Sequence, residues 1–301
     1  MTKTVACLAG DGVGPELMAA ATRALDSVAA LHGFELDDRH LPFAGEAVTR
    51  SGHALPADTR AGYRDADAIL VASPHEPAFA GVKADLQLAW RIARVHVGET
   101  RDLVVVGPVG DWADETAIAH AFACAASRRG RIVCVGDTPV WRAAVELEQT
   151  SWGGLQVEHV SLGETLVRLR DEPESLDAIL TETHLVDALV DAAAAFAGSG
   201  ASVAQAWLPE EGPGVFAPGA TAPDDVAGFG VVDPMGMLLA TSLMLAEGLN
   251  RRSASQTLER AVGSAAGRTR RMDDTKEFTD AVIELLPQSR TDVDHFDEVW
   301  R

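Results

Sequence analysis

One tyrosine, three lysines and three cysteines are few for 301 residues, and each shortage excludes something. Tyr63 is the only phenol, and Lys3, Lys83 and Lys276 are the only ammonium side chains, so either residue type offers few candidates for acid–base work. Cys7, Cys124 and Cys134 are odd in number and lack metal-type spacing. Cys7 and Cys134 sit in apolar runs that read as buried strands, and a reducing, cytoplasmic setting is expected. Long hydrophobic runs are also missing. The apolar run in "MTKTVACLAGDG" is too short for a signal peptide, and the run from Pro234 to Leu249 meets Glu247 after about a dozen apolar positions. There is no basic block, and the net charge is -20, which argues against nucleic acid and anionic membranes as partners.

What is present is globular. With 47% hydrophobic residues, a chain of this length builds one large or two ordinary domains with real cores. Short apolar runs ("TVACLAG", "ADAILVAS", "DLVVVGP", "RIVCVGD", "LDAILTET") alternate with helical patterns such as Pro15 to His32 and Thr116 to Arg129. That alternation predicts an α/β fold with a mostly parallel sheet. The Gly/Pro-rich segment Pro209 to Gly230 reads as a linker or a ligand-binding turn. In "AGDGVGPEL" the glycines 10, 12 and 14 lie between a strand and a helix opened by Pro15. Their G-x-G-x-G spacing is not the dinucleotide fingerprint, so the turn reads as structural.

Asp187 and Asp191 stand four residues apart in an otherwise apolar run, one above the other on a helix. Leu185, Val186, Leu189, Val190, Ala193 and Phe196 span the opposite face and predict the buried side. The aspartates then face water or a cleft. They are either a solvated helix surface or a site for Mg²⁺ or Mn²⁺, which prefer carboxylate oxygens.

Several segments together resemble the β-decarboxylating dehydrogenases, the isopropylmalate and isocitrate dehydrogenases. "GDGVGPELM" at Gly10 to Met18 resembles that family's Gly-Asp-Gly-Ile-Gly-Pro-Glu opening, and Gly45 to Ser73 the segment ending in its Ala-Asp-Ala strand. "HLVDALVDAAA" is similar to Phe-Gly-Asp-Ile-Leu-Ser-Asp, "APDDVAGFGVVDP" to Ala-Pro-Asp-Ile-Ala-Gly-Lys-Gly-Ile-Ala-Asn-Pro, and "TKEFTDAVIELL" to the C-terminal helix. The resemblance implies a two-domain α/β fold with a mostly parallel central sheet flanked by helices. The first domain would take residues 1–95 and 215–301, and the second, 96–214, would carry the dimer interface. It also implies NAD(P), a divalent metal held by Asp187 and Asp191, and a homodimer packed through helices. The extended arm that family members exchange is deleted after "DLVVVGPVGDW".

The chain departs from the family where chemistry is done. The resemblance places Asp137 at the family's catalytic lysine, and Tyr63 cannot align with its catalytic tyrosine. The family's substrate arginines fall on Gly107 and Ala93, leaving Arg91 and Arg94 nearby as candidates to grip a small carboxylic acid. A third metal aspartate, from the partner subunit, falls on Gly163, so Glu164 is the substitute. In the nucleotide loop the candidates are Gly219, Ala222, Pro223, Asp224 and Asp233, with Pro218 where the family has an adenine-stacking histidine. The expected function is therefore a diverged member that keeps metal or small-acid binding and has lost standard oxidative decarboxylation. The alternatives are a dehydrogenase acting on another hydroxy acid, with Asp137 and Glu164 or His184 as acid–base groups, and a noncatalytic regulatory or scaffolding subunit of an active paralogue.

Overall fold

The computed structural model describes residues 2–74, 78–97, 101–110, 114–197, 203–219, 224–268 and 274–288. The strands are β1 Lys3–Leu8, β2 Leu36–His40, β3 Ala68–Val71, β4 Leu88–Val97, β5 Arg101–Pro108, β6 Arg131–Val135, β7 Gln156–His159, β8 Ala178–Thr181, β9 Val203–Pro209 and β10 Gly214–Pro218. The helices are α1 Gly14–His32, α2 Ala44–Ser51, α3 Ala57–Arg64, α4 Ala78–Asp85, α5 Asp114–Ala126 and α6 Pro139–Gln149. They continue with α7 Leu162–Asp171, α8 Val186–Ala197, α9 Met235–Leu243, α10 Arg252–Arg268 and α11 Thr275–Glu284. The chain divides into two units, Met1–Gln87 with Glu211–Arg301, and Leu88–Glu210. The first boundary thus lies ahead of β4 rather than at 95/96, because β4 is paired along its length with β5 and β9.

In the first unit the strands run in the order β2-β1-β3-β10, all parallel. Continuous apolar runs such as Ala68–Val71 are buried throughout, as expected of strands covered on both faces. The Gly-rich turn after β1 is shaped by packing. A Cβ at Gly14 would lie 2.0 Å from the Ala9 carbonyl oxygen, and Gly10 holds φ 77° against Ser73. Pro15 opens α1 and Gly33, at φ 68°, closes it. The polar stretch "TRAGYRDADA" around Tyr63 has the pattern of a surface helix, yet Tyr63 is fully buried on α3 and donates to Asp85 Oδ2 at 2.5 Å. Burial and the Asp85 carboxylate push this phenol well above its ordinary pKa.

In the second unit the order is β9-β4-β5-β8-β6-β7, with β4 antiparallel to both neighbours and the pairs β5–β8, β8–β6 and β6–β7 parallel. Ala93 and Val95 of β4, Leu103 and Val105 of β5 and Val203 of β9 share one face with Val186, Leu189, Val190 and Ala193 of α8. The opposite faces carry a buried ionic network. Arg128 and Arg129 bind Asp102 and Asp177, and Arg94 joins at 3.5 Å from Asp102. Of the apolar face expected for α8, Phe196 is the exception. It is 46% exposed, whereas Val186, Leu189, Val190 and Ala193 are buried and Leu185 packs partly buried against the same core.

Candidate functional site

The alternation of β4 decides what its arginines can do. Odd residues face α8 and even residues face the ionic network, so Arg91 and Arg94 project from opposite faces and cannot grip one ligand together. Arg91 stands near the start of β4, opposite Gly107 and Trp207, at the edge where the neighbouring strands β5 and β9 end. Open α/β sheets place ligands at such an edge. Its guanidinium donates from Nη1 to Asp187 and from Nη2 to Gln205 Oε1 at 2.5 Å, and lies 5.4 Å from the centre of the Trp207 ring. Nε is buried with no hydrogen-bond partner among the described residues. The side chain is only 13% exposed, so the cation is held in place with one donor unused.

Asp187 is in the first turn of α8, where the helix dipole favours a carboxylate, and Asp191 follows one turn later. Both are exposed. Glu164 lies apart from this pairing. Ser161 caps α7 by accepting from the Glu164 N–H, and the Glu164 carboxylate pairs with Arg168 at 2.6 Å. Among the described residues no three His, Cys, Asp or Glu side chains gather as metal ligands.

Glu182, immediately after β8, was not foreseen. It is 6% exposed and accepts from Thr138 Oγ1 at 2.5 Å and from the Thr138 N–H at 3.3 Å. Its Oε2 has no hydrogen-bond partner among the described residues, and His184 Nδ1 is 3.8 Å away. Asp137, just before Thr138, is exposed. The only sequence signal for Glu182 is an acid directly following a four-residue apolar strand.

In the Gly/Pro-rich loop, Ala222 and Pro223 lie outside the described residues, as does the Asp224 side chain; Asp224 opens a short 3₁₀ turn. Gly219 is half-buried at the end of β10. Asp233 caps α9, accepting from the Met235 N–H at 2.8 Å, and Glu16 of α1 accepts from the N–H groups of Gly228 and Gly230. These contacts give the second half of the loop a structural role.

A family model described as isocitrate/isopropylmalate dehydrogenase matches residues 4–97 and 101–283. The chain belongs to that family. The 3-isopropylmalate dehydrogenase of Synechococcus sp. (strain CC9605) is 31% identical over 318 residues, spanning 86% of this chain and 89% of the relative. That of Colwellia psychrerythraea is 27% identical over 323 residues, spanning 87% and 89%. A β-decarboxylating dehydrogenase structure from Thermococcus kodakarensis aligns with a TM-score of 0.82 at 21% identity, covering 99% of both chains. An isocitrate dehydrogenase from Methylococcus capsulatus gives 0.77 at 17%, covering 94% of this chain and 99% of the other. These two structures bear on the fold, which is the α/β dehydrogenase fold with a mostly parallel sheet.

The positions that the isocitrate/isopropylmalate dehydrogenase resemblance singled out differ in how much room they have. A Cβ at Gly107 would lie 2.3 Å from Val186 Cγ2 and 3.0 Å from the Thr181 carbonyl oxygen. Ala93 has no exposed surface and sits within the α8-facing core. Gly163, by contrast, opens onto empty space, with nothing within 4 Å of an added Cβ.

Proposed function

We propose that this protein is a diverged dehydrogenase-family member that holds a small carboxylic acid at the strand-end edge around Arg91. In this reading it does not carry out standard oxidative decarboxylation of isopropylmalate or isocitrate. The observation that supports the reading most is the closure of the family's arginine position at Gly107, where any side chain would strike α8. Ala93 is enclosed by the core, and Asp137 brings a negative charge where the resemblance expects an ammonium group. Arg91 is then the cation left to meet a carboxylate, and its planar fork suits one.

The family generally uses NAD and a divalent metal. In this chain Asp187 and Asp191 are the oxygen donors that would meet Mg²⁺ or Mn²⁺. Two carboxylates leave the shell to be completed by water, and Arg91 competes for one of them, so weak binding is expected. Glu164 would have to leave Arg168 to contribute. Asp233 is already engaged at the start of α9, accepting from the Met235 N–H. A second reading, turnover of a different hydroxy acid, draws support from the buried Glu182 carboxylate beside His184, a pairing able to orient an exposed imidazole as a base.

The test is a steady-state assay of both acids with NAD or NADP and with Mg²⁺ or Mn²⁺. The expected turnover lies at least about a hundredfold below the common enzyme median of roughly 10 s⁻¹, since each missing acid–base group is worth about 10² to 10⁴. Turnover within about tenfold of that median would overturn the proposal.

A further inference from the structure

The first unit contains a cleft of about 340 Å³ between the end of α1, residues 32–34, and the turn into α10, residues 250–254. The backbone fixes this turn tightly. After α9 the chain forms a π-helical turn over Met244–Gly248, and the Leu249 N–H donates to the Met244 carbonyl at 3.0 Å. The Arg251 N–H reaches the Leu245 carbonyl at 2.7 Å, and Asn250 between them adopts φ 53°. Arg251 and Arg252 are thereby set at the head of α10. The Arg251 guanidinium lies 5.2 Å from the centre of the Phe34 ring, and among the described residues its buried Nε has no hydrogen-bond partner. His32 completes the opposite wall, its Nε2 3.1 Å from Thr257 Oγ1.

The charge pattern here runs against the rest of the molecule. The chain carries 45 acidic residues against 25 Lys and Arg, yet among the described residues no carboxylate pairs with Arg251 or Arg252. The adjacent arginines Arg128 and Arg129 show the usual outcome, sharing Asp102 and Asp177. No acidic residue stands in the first turn of α10 to occupy its amides. The end of α1 contributes the opposite partial charge of about half a unit, which two full guanidinium charges and the start of α10 outweigh.

The geometry points to an anion site in this cleft for a small phosphate-bearing metabolite. Two guanidinium groups and the opening amides of a 17-residue helix supply more donors than one carboxylate can accept, and they match the oxygens of a phosphoryl group. The volume falls in the range of small-molecule sites, with room beyond the phosphoryl group for the body it is attached to. This inference uses residues of the first unit only and is independent of the proposed acid site at Arg91.

Calorimetry of the full chain against inorganic phosphate and against pyrophosphate, at fixed ionic strength, tests it. Saturable one-site binding of at least one of the two is expected. Arg252→Glu is expected to weaken it by about tenfold or more, a change of about 1.4 kcal/mol. Arg252 is exposed, so this variant should keep the wild-type melting temperature; Arg252→Gln serves the same purpose if it does not. Arg91→Gln is expected to leave binding unchanged. The absence of saturable binding to either probe, unaltered affinity in the folded Arg252 variant, or loss of binding in Arg91→Gln would each overturn the assignment.

Discussion

Single side chains here are governed by how far burial shifts their chemistry. Burial pushes the Cys134 thiol up to about 12, and burial with the nearby Asp38 charge does the same for Cys7. At neutral pH the reactive thiolate of such a group is about one part in 10⁵. Alkylation of the native protein at pH 7 should therefore leave Cys7 and Cys134 unmodified by mass spectrometry, and unfolding should make all three cysteines react; native labelling of Cys134 would refute its burial. Tyr63 obeys the same rule, and its context was misleading in sequence. The flanking "TRAGYRDADA" reads as a polar surface helix, yet Tyr63 is buried and its hydroxyl donates to Asp85, the carboxylate that also pairs with Arg60 and Arg64. A distant carboxylate that satisfies both the hydroxyl and the neighbouring arginines is invisible to a residue-by-residue polarity count.

Among the elements, the strongest electrostatic joint is the Arg128 network linking the end of α5 to β5 and β8. Although burial works in the other direction, Arg128 holds the Asp102 carboxyl well below the ordinary carboxylate range. A depressed folded pKa means that the stabilisation is complete above the unfolded value of about 3.9 and is lost as pH falls through the lower folded value. Arg128→Ala should cost up to about 3–5 kcal/mol at neutral pH, because it removes the guanidinium that binds both oxygens of Asp102, leaving Arg94 at 3.5 Å, and takes away one of the two arginines on the buried Asp177. The gap in melting temperature between wild type and variant should narrow on acidification below about pH 4; a gap that widens would contradict the assignment. Elements with one clear period were legible in sequence. α1 and the buried face of α8 follow from apolar spacing, and β1, β3, β6 and β8 from short apolar runs. β4 was not foreseen. Arg91, Arg94 and His96 break its apolar run, and only the partners on its two faces, Asp187 on one and Asp102 on the other, explain why a strand tolerates them. Glu182 was hidden for a similar reason, since its partner Thr138 is 44 positions away.

For the molecule as a whole, the family assignment rests on segments spread along nearly the entire chain, and the fold follows it. In the proposed reading the site departs from it locally, with Gly107, Ala93 and Asp137 at positions where the resemblance expects other residues. Assembly belongs to this scale as well. A homodimer packed through helices is proposed, and Phe196, 46% exposed on α8, is the apolar contact that α8 would offer. Light scattering at micromolar concentration should return twice the chain mass, and Phe196→Asp should shift it toward the monomer. A monomeric wild type would eliminate the proposal.

The pairing of Arg91 with Asp187 means that the edge of the sheet is already neutralised before any ligand arrives. An incoming acid must compete with Asp187 for the guanidinium, and an incoming cation must compete with Arg91 for the carboxylate. In the proposed reading either one, on binding, would release the group the other requires. The two ligands would therefore assist each other by the same factor in both directions, as linkage demands. Each alone would meet a closed latch.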